Sequence, residues 1–220
     1  MNRILHIALM LVLSLSATAA VTTDSVSVGF RQSRVRIDRG FDGNGARLDS
    51  IFRRIDADSA VLRLRSVHVT GAASPEGSVQ FNRYLSERRA EAIFDQFRSR
   101  GLVADTAVAF TYLGRDWAGL RREVLADGNV PRRAEVLGLL DRIVDEEEAH
   151  PLASLKAIGG GEPYRYMYRT IFPGLRRSQL VVEYEQLFPR TVTPYAGTAA
   201  QLVRSEAPQP ELIDAWPLQE

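Results

Sequence analysis

The stretch from Val67 to Ile93, VHVTGAASPEGSVQFNRYLSERRAEAI, constrains this chain more than any other. It opens as a strand, Val67 to Thr70, which the pattern predicts to end at Gly71. A turn follows at Ser74-Pro75-Glu76-Gly77, where each residue favours tight backbone geometry. Ser78 is placed to cap a helix running to about Arg100, and Gly101 offers its stop. Leu85, Ile93 and Phe97 fall on one face of that helix, with Phe81 one turn ahead. Arg89 lies on the same line, and a guanidinium does not enter a core without partners. Asn82, Ser86 and Arg89 set an amide, a hydroxyl and a cation along one edge of the face. Two readings of Arg89 follow. It either pairs with an internal carboxylate, or snorkels to water, as a structural arginine; or it lines a pocket for an anionic ligand with the turn as the opposite wall. The planar fork of arginine suits the second role, because it grips a carboxylate through two parallel hydrogen bonds.

These residues resemble the OmpA-like peptidoglycan-associated domain found at the C-termini of OmpA and Pal proteins. The family's helix motif, Asn-x-x-Leu-Ser-x-x-Arg-Ala-x-x-Val, is met by Asn82, Leu85, Ser86, Arg89 and Ala90, with Ile93 in place of valine. The resemblance implies that Arg89 holds the carboxylate of a diaminopimelate in the stem peptide. The family's second ligand residue, an aspartate that holds the ammonium, is replaced by Ser74. Glu76, two residues on, is the candidate to restore its charge. The site residues implied are therefore Arg89, Ser74, Asn82, Leu85, Ser86 and Glu76.

Residues 1–20 read as a secretory signal: Arg3, an apolar run from Ile4 to Leu15, then Ala17-Thr18-Ala19 as a cleavage site. The run is too short to span a bilayer, and no later stretch is apolar and long enough, so no transmembrane segment is expected in the mature chain. The chain has no cysteine, which excludes disulfides, thiol catalysis and lipid attachment after the signal. A net charge of +1 gives no footprint for nucleic acid or a membrane surface. Lys156 is the only lysine, so the positive charge is almost all arginine.

Elsewhere, alternation predicts strands at Asp24–Phe30, Val61–Thr70, Ala107–Tyr112 and Ser178–Glu185. The phase of the second shifts near Ser66, which predicts a bulge. A helix is expected from Ala46 to Ile55, with Leu48, Ile51, Phe52 and Ile55 inward. The fold class expected is α+β: a two-layer sandwich with helices on one face of a mixed sheet and extra helices inserted before the final strand. The insertion, at about residues 114–173, predicts helices at Trp117–Leu125, at Pro131–Val144 with proline in the first turn, at Pro151–Ala157 and at Pro163–Phe172. The resemblance spans roughly Ser25 to Tyr184, including the Arg176-Arg177 pair that precedes the family's last strand. It gives a domain over residues 21–187, and the proline-rich residues 188–220 read as an extended or disordered tail.

Catalysis finds no constellation. The glycines at 159–161 lack the Lys-Ser/Thr of a phosphate loop and read as a hinge. Tyr164, Tyr166, Tyr168 and Phe172 read as packing before platform, and Asp145 to Glu148 as a solvated helix end. His68 and His150 have no nucleophile or ligand spacing between them. Neither an enzyme, a cofactor nor a metal is expected. Two functions remain open: a periplasmic module that binds peptidoglycan through its stem peptide, or an envelope scaffold, with a protein partner, that has kept the fold and lost the ligand.

Overall fold

The computed structural model describes residues 22–58, 62–103 and 107–186. The expected signal segment and the expected tail lie outside the described residues. The chain runs β1 (Thr22–Gly29), α1 (Asn44–Asp58), β2 (Leu62–Ala73), α2 (Val79–Arg98) and β3 (Ala107–Arg115). Then come the inserted helices α3 (Trp117–Ala126), α4 (Arg133–Val144), α5 (Pro151–Ala157), α6 (Glu162–Thr170) and α7 (Phe172–Leu175), and last β4 (Arg177–Gln186). This is the α+β order expected: a mixed four-stranded sheet, ordered β1-β4-β2-β3, with added helices before the last strand. β4 lies antiparallel to both β1 and β2, while β2 and β3 are parallel.

Alternation decides which face of the sheet is covered. Val26 and Val28, Val67 and Val69, and Leu180 and Val182 all point the same way and are buried. They meet Leu48, Ile51, Phe52 and Ile55 of α1 and Ala90, Ile93 and Phe97 of α2 in one core. Burying side chains of this size stabilises by roughly 1.5–3 kcal/mol each, before chain entropy is set against it. A second core, including Leu120, Val136, Leu140, Leu155 and Phe172, holds the inserted helices together.

β2 meets α2 at a glycine. A Cβ on Gly71 would stand 1.8 Å from the carbonyl oxygen of Ser86, so only glycine permits the approach. That contact fixes the distance between the sheet and the helix carrying Arg89.

Several boundaries differ from the sequence reading. β2 does not stop at Gly71 but continues to Ala73, because parallel pairing with β3 persists to Ala73 and Arg115 across a register shift. The irregularity expected near Ser66 is there, between Leu64 and Ser66 in the pairing with β4. Pro131 does not open α4. Arg132 intervenes at a left-handed φ of 52° and the helix starts at Arg133. The helix expected at Pro163–Phe172 breaks at Ile171 into α6 and α7. Gly159, Gly160 and Gly161 all take positive φ in the turn before α6, a left-handed run that suits glycine.

Candidate functional site

The turn after β2 and the first half of α2 enclose a cavity of about 170 Å³ lined by Ser74, Glu76, Asn82, Leu85, Arg89 and Arg176, among others. Local chemistry holds each wall. Ser78 caps α2, its Oγ accepting from the Phe81 amide at 3.1 Å. Asn82 is buried and donates from Nδ2 to the Glu76 carbonyl at 2.6 Å. Arg115 donates to the Gly77 carbonyl. The turn is thus tied to both α2 and β3.

Arg89 is 1 % exposed. Its hydrogen bonds among the described residues all go to main-chain carbonyls: Nε to Arg34 at 3.0 Å, Nη1 to Ala72 at 2.9 Å and, weakly, Nη2 to Arg31 at 3.5 Å. Its guanidinium carbon also sits 5.2 Å from the centre of the Phe30 ring. A guanidinium has five N–H donors, so these bonds leave donor capacity on the cavity side. Burial lowers its pKa to about 10, the neighbouring Arg176 pushes the same way, and Glu76 opposes them. Arg89 therefore stays cationic at physiological pH, in surroundings that favour an added negative charge.

Glu76 does point inward. Its Oε1 accepts from Arg176 Nη2 at 2.8 Å and Nε at 3.2 Å, and both side chains are mostly buried. Its Oε2 is buried with no hydrogen-bond partner among the described residues. Ser74 is buried too, its Oγ accepting from Arg176 Nε at 3.1 Å. Two arginines against one glutamate leave the cavity with a formal charge of +1. It offers spare donors at Arg89 and a spare acceptor at Glu76.

Of the six residues named from the sequence, the fold brings Ser74, Glu76, Asn82, Leu85 and Arg89 to this cavity. Ser86 is not among its lining side chains. It is fully buried, and its Oγ donates to the Arg83 carbonyl at 2.8 Å and accepts from the Gly114 amide at 3.1 Å. That joins α2 to the end of β3, a positioning role set by the close packing at Gly71. Phe81, expected on the core face, is 43 % exposed and forms part of the cavity wall instead. Arg176 was missed as a site residue. Its signal was present in the arginine pair before β4, but only the chain reversal into β4 shows that it reaches the turn.

The other candidates remain dispersed. His68 Nε2 lies 3.0 Å from Thr111 Oγ1 on the exposed face of the sheet, and His150 is exposed before α5. No group of metal-ligating side chains occurs among the described residues. Within the acidic run, Glu148 accepts from the His150 amide and the Ser154 hydroxyl, both at 3.1 Å, at the start of α5. No described helix is long and apolar enough to cross a membrane.

No protein-family model matches the chain, and neither does any curated protein sequence. Solved structures do. The OmpA-like domain of FopA1 from Francisella tularensis is 15 % identical, with 76 % of this chain and 75 % of that one covered at a TM-score of 0.38. The peptidoglycan-associated lipoprotein from Burkholderia pseudomallei is 16 % identical, with 71 % and 89 % covered at a TM-score of 0.37.

Proposed function

We propose that this is an exported, non-enzymatic protein of the cell envelope that binds peptidoglycan non-covalently through its stem peptide, working in the periplasm. One observation carries the reading: a fully buried, cationic Arg89 with unused donors shares a small cavity with Glu76 Oε2, which has no hydrogen-bond partner among the described residues. An amino acid carrying a free carboxylate and a free ammonium satisfies both, the first on Arg89 and the second on Glu76. The diaminopimelate of a stem peptide has that pair of groups. Glu76 then takes over the part that the family assigns to the position of Ser74, while Arg176 and Ser74 hold it in place.

The test is a pull-down of the purified protein with sacculi, beside the Arg89→Ala variant. Wild type is expected in the pellet and the variant in the supernatant. Wild type left wholly in the supernatant would remove the reading. The export half predicts protein beginning near Ala20 or Val21 in a periplasmic fraction; intact Met1 in the cytoplasm counts against it.

The second reading is a scaffold domain that no longer takes the ligand. The observation in its favour is the Glu76–Arg176 pair, since an ion pair within the pocket partly satisfies it from inside. The same pull-down separates the two.

A further inference from the structure

α6 carries a feature that the packing of the insertion does not use up. Tyr164 and Tyr168 are one turn apart and stack with ring centres 6.2 Å apart at 28°. With Arg165 and Arg169, also one turn apart, they line a second cavity of about 330 Å³. That volume lies at the lower end of the roughly 300–1,000 Å³ of small-molecule sites. The two tyrosines differ in exposure, although both rings meet Phe172, Tyr168 at 6.1 Å and 68°. Tyr164 is half-buried and meets the fully buried Phe172 edge-on at 5.6 Å, so it belongs partly to the helical core. Tyr168 is 37 % exposed.

This face adjoins the Arg89 cavity. Gln32 lines that cavity, and its side-chain amide meets the Tyr168 hydroxyl at 3.2 Å from Nε2 and 3.3 Å from Oε1. Glu76 acts on Tyr164 as well: the phenol is pushed above its ordinary value by burial first and then by the Glu76 charge. A ligand whose amino-acid end sits between Arg89 and Glu76 and leaves past Gln32 meets the tyrosine face next.

We propose that the Tyr164–Tyr168 face of α6, flanked by Arg165 and Arg169, is a saccharide subsite that extends the Arg89 cavity and takes the sugar strand to which the stem peptide is attached. Pyranose rings present C–H faces that rest on aromatic rings, with hydroxyls at the rim for donors such as Arg169 and the tyrosine hydroxyls. Tyrosine supplies such a surface at low entropic cost, with a polar tip for the edge. The proposal rests on the peptidoglycan reading above and gives the helical insertion a share in binding.

Titration calorimetry with three probes tests it: a stem peptide alone, the same peptide on its disaccharide, and peptide-free glycan. Wild type is expected to bind the disaccharide-peptide about tenfold more tightly than the bare peptide. Tyr168→Ala should erase that difference. Tyr168→Phe, which keeps the ring and gives up only the bond to Gln32, should preserve most of it and shows what losing that bond alone does to the bare peptide. Arg169→Ala, at an exposed position, gives a second variant that leaves the helical core untouched. Equal wild-type affinity for peptide and disaccharide-peptide overturns the subsite and leaves the Arg89 cavity standing. So does a Tyr168→Ala variant that weakens both ligands alike. A wild type that binds none of the three probes removes the peptidoglycan reading and this subsite together.

Discussion

Taking the fork away from Arg89 removes more than a charge. The carbonyls of Arg34 and Ala72 lose the guanidinium donor, while that of Arg31 keeps the Arg34 amide at 3.1 Å, and a buried hydrogen bond to a charged group contributes about 1.5–3 kcal/mol. Arg89→Ala is therefore expected to lower stability by about 3 kcal/mol as well as to abolish sacculus binding. Arg89→Lys keeps the charge and loses the fork, so it should lose most binding at a smaller stability cost; thermal melts beside the pull-down read both. Ser74→Asp asks a different question. It sets a second carboxylate beside Arg176, which draws that arginine from Glu76 and frees Oε1 for the ligand. Affinity for a diaminopimelate peptide should rise about tenfold, and a calorimetric cycle with Glu76→Gln measures the coupling. No gain in Ser74→Asp would mean that the pocket is reshaped beyond one position. The burial of Arg89 was legible in the sequence from its place between Leu85 and Ile93. Its partners were not, because they are backbone carbonyls on the strand end and on a loop more than fifty residues away. Neither of the open readings anticipated them: the carboxylate beside Arg89 acts through space, and Arg176 takes the bonds.

At the scale of elements, the seam between β2 and α2 sets the cavity. Gly71→Ala drives a methyl into the Ser86 carbonyl, where the obstacle is main chain and cannot rotate aside. We expect a loss of about 3 kcal/mol or more, read as a lower urea midpoint, with sacculus binding weakened because α2 is displaced. The inward stripe of α1 and the N-cap of α2 were both legible, since periodicity and capping chemistry are local signals. The run of β2 past Gly71 was hidden, as it depends on a parallel partner about forty residues on. The exposure of Phe81 was hidden for a similar reason. Helical spacing gives a direction, but whether another element stands there is decided by the tertiary fold, and Phe81 stays 43 % exposed.

Across the whole molecule, the ties between the two cores among the described residues include Phe30 N to Arg176 O at 2.7 Å, Asp116 N to Ala73 O at 2.9 Å, the bonds of Arg176 to Glu76 and Ser74, the Arg177–Asp116 pair at 3.9 Å and the Gln32–Tyr168 pair. Leu140→Ala, deep in the second core, should cost about 2–5 kcal/mol and loosen the inserted helices first. Hydrogen exchange is expected to rise in α3 to α6 before it rises in β2 and β4; a uniform rise would show one cooperative unit instead. The strand order has a further consequence. β4 is the last described element and sits inside the sheet, so β1 pairs with a strand about 150 residues on, Thr22 with Tyr184. Until residues 177–186 arrive, β1 has no neighbour and β2 has only β3. Such long-range pairing makes sheet closure slow and late. Under the proposed export, that delay is an advantage, because a polypeptide threaded through a membrane pore from its N-terminus stays pliable until β4 emerges and then shuts on the far side.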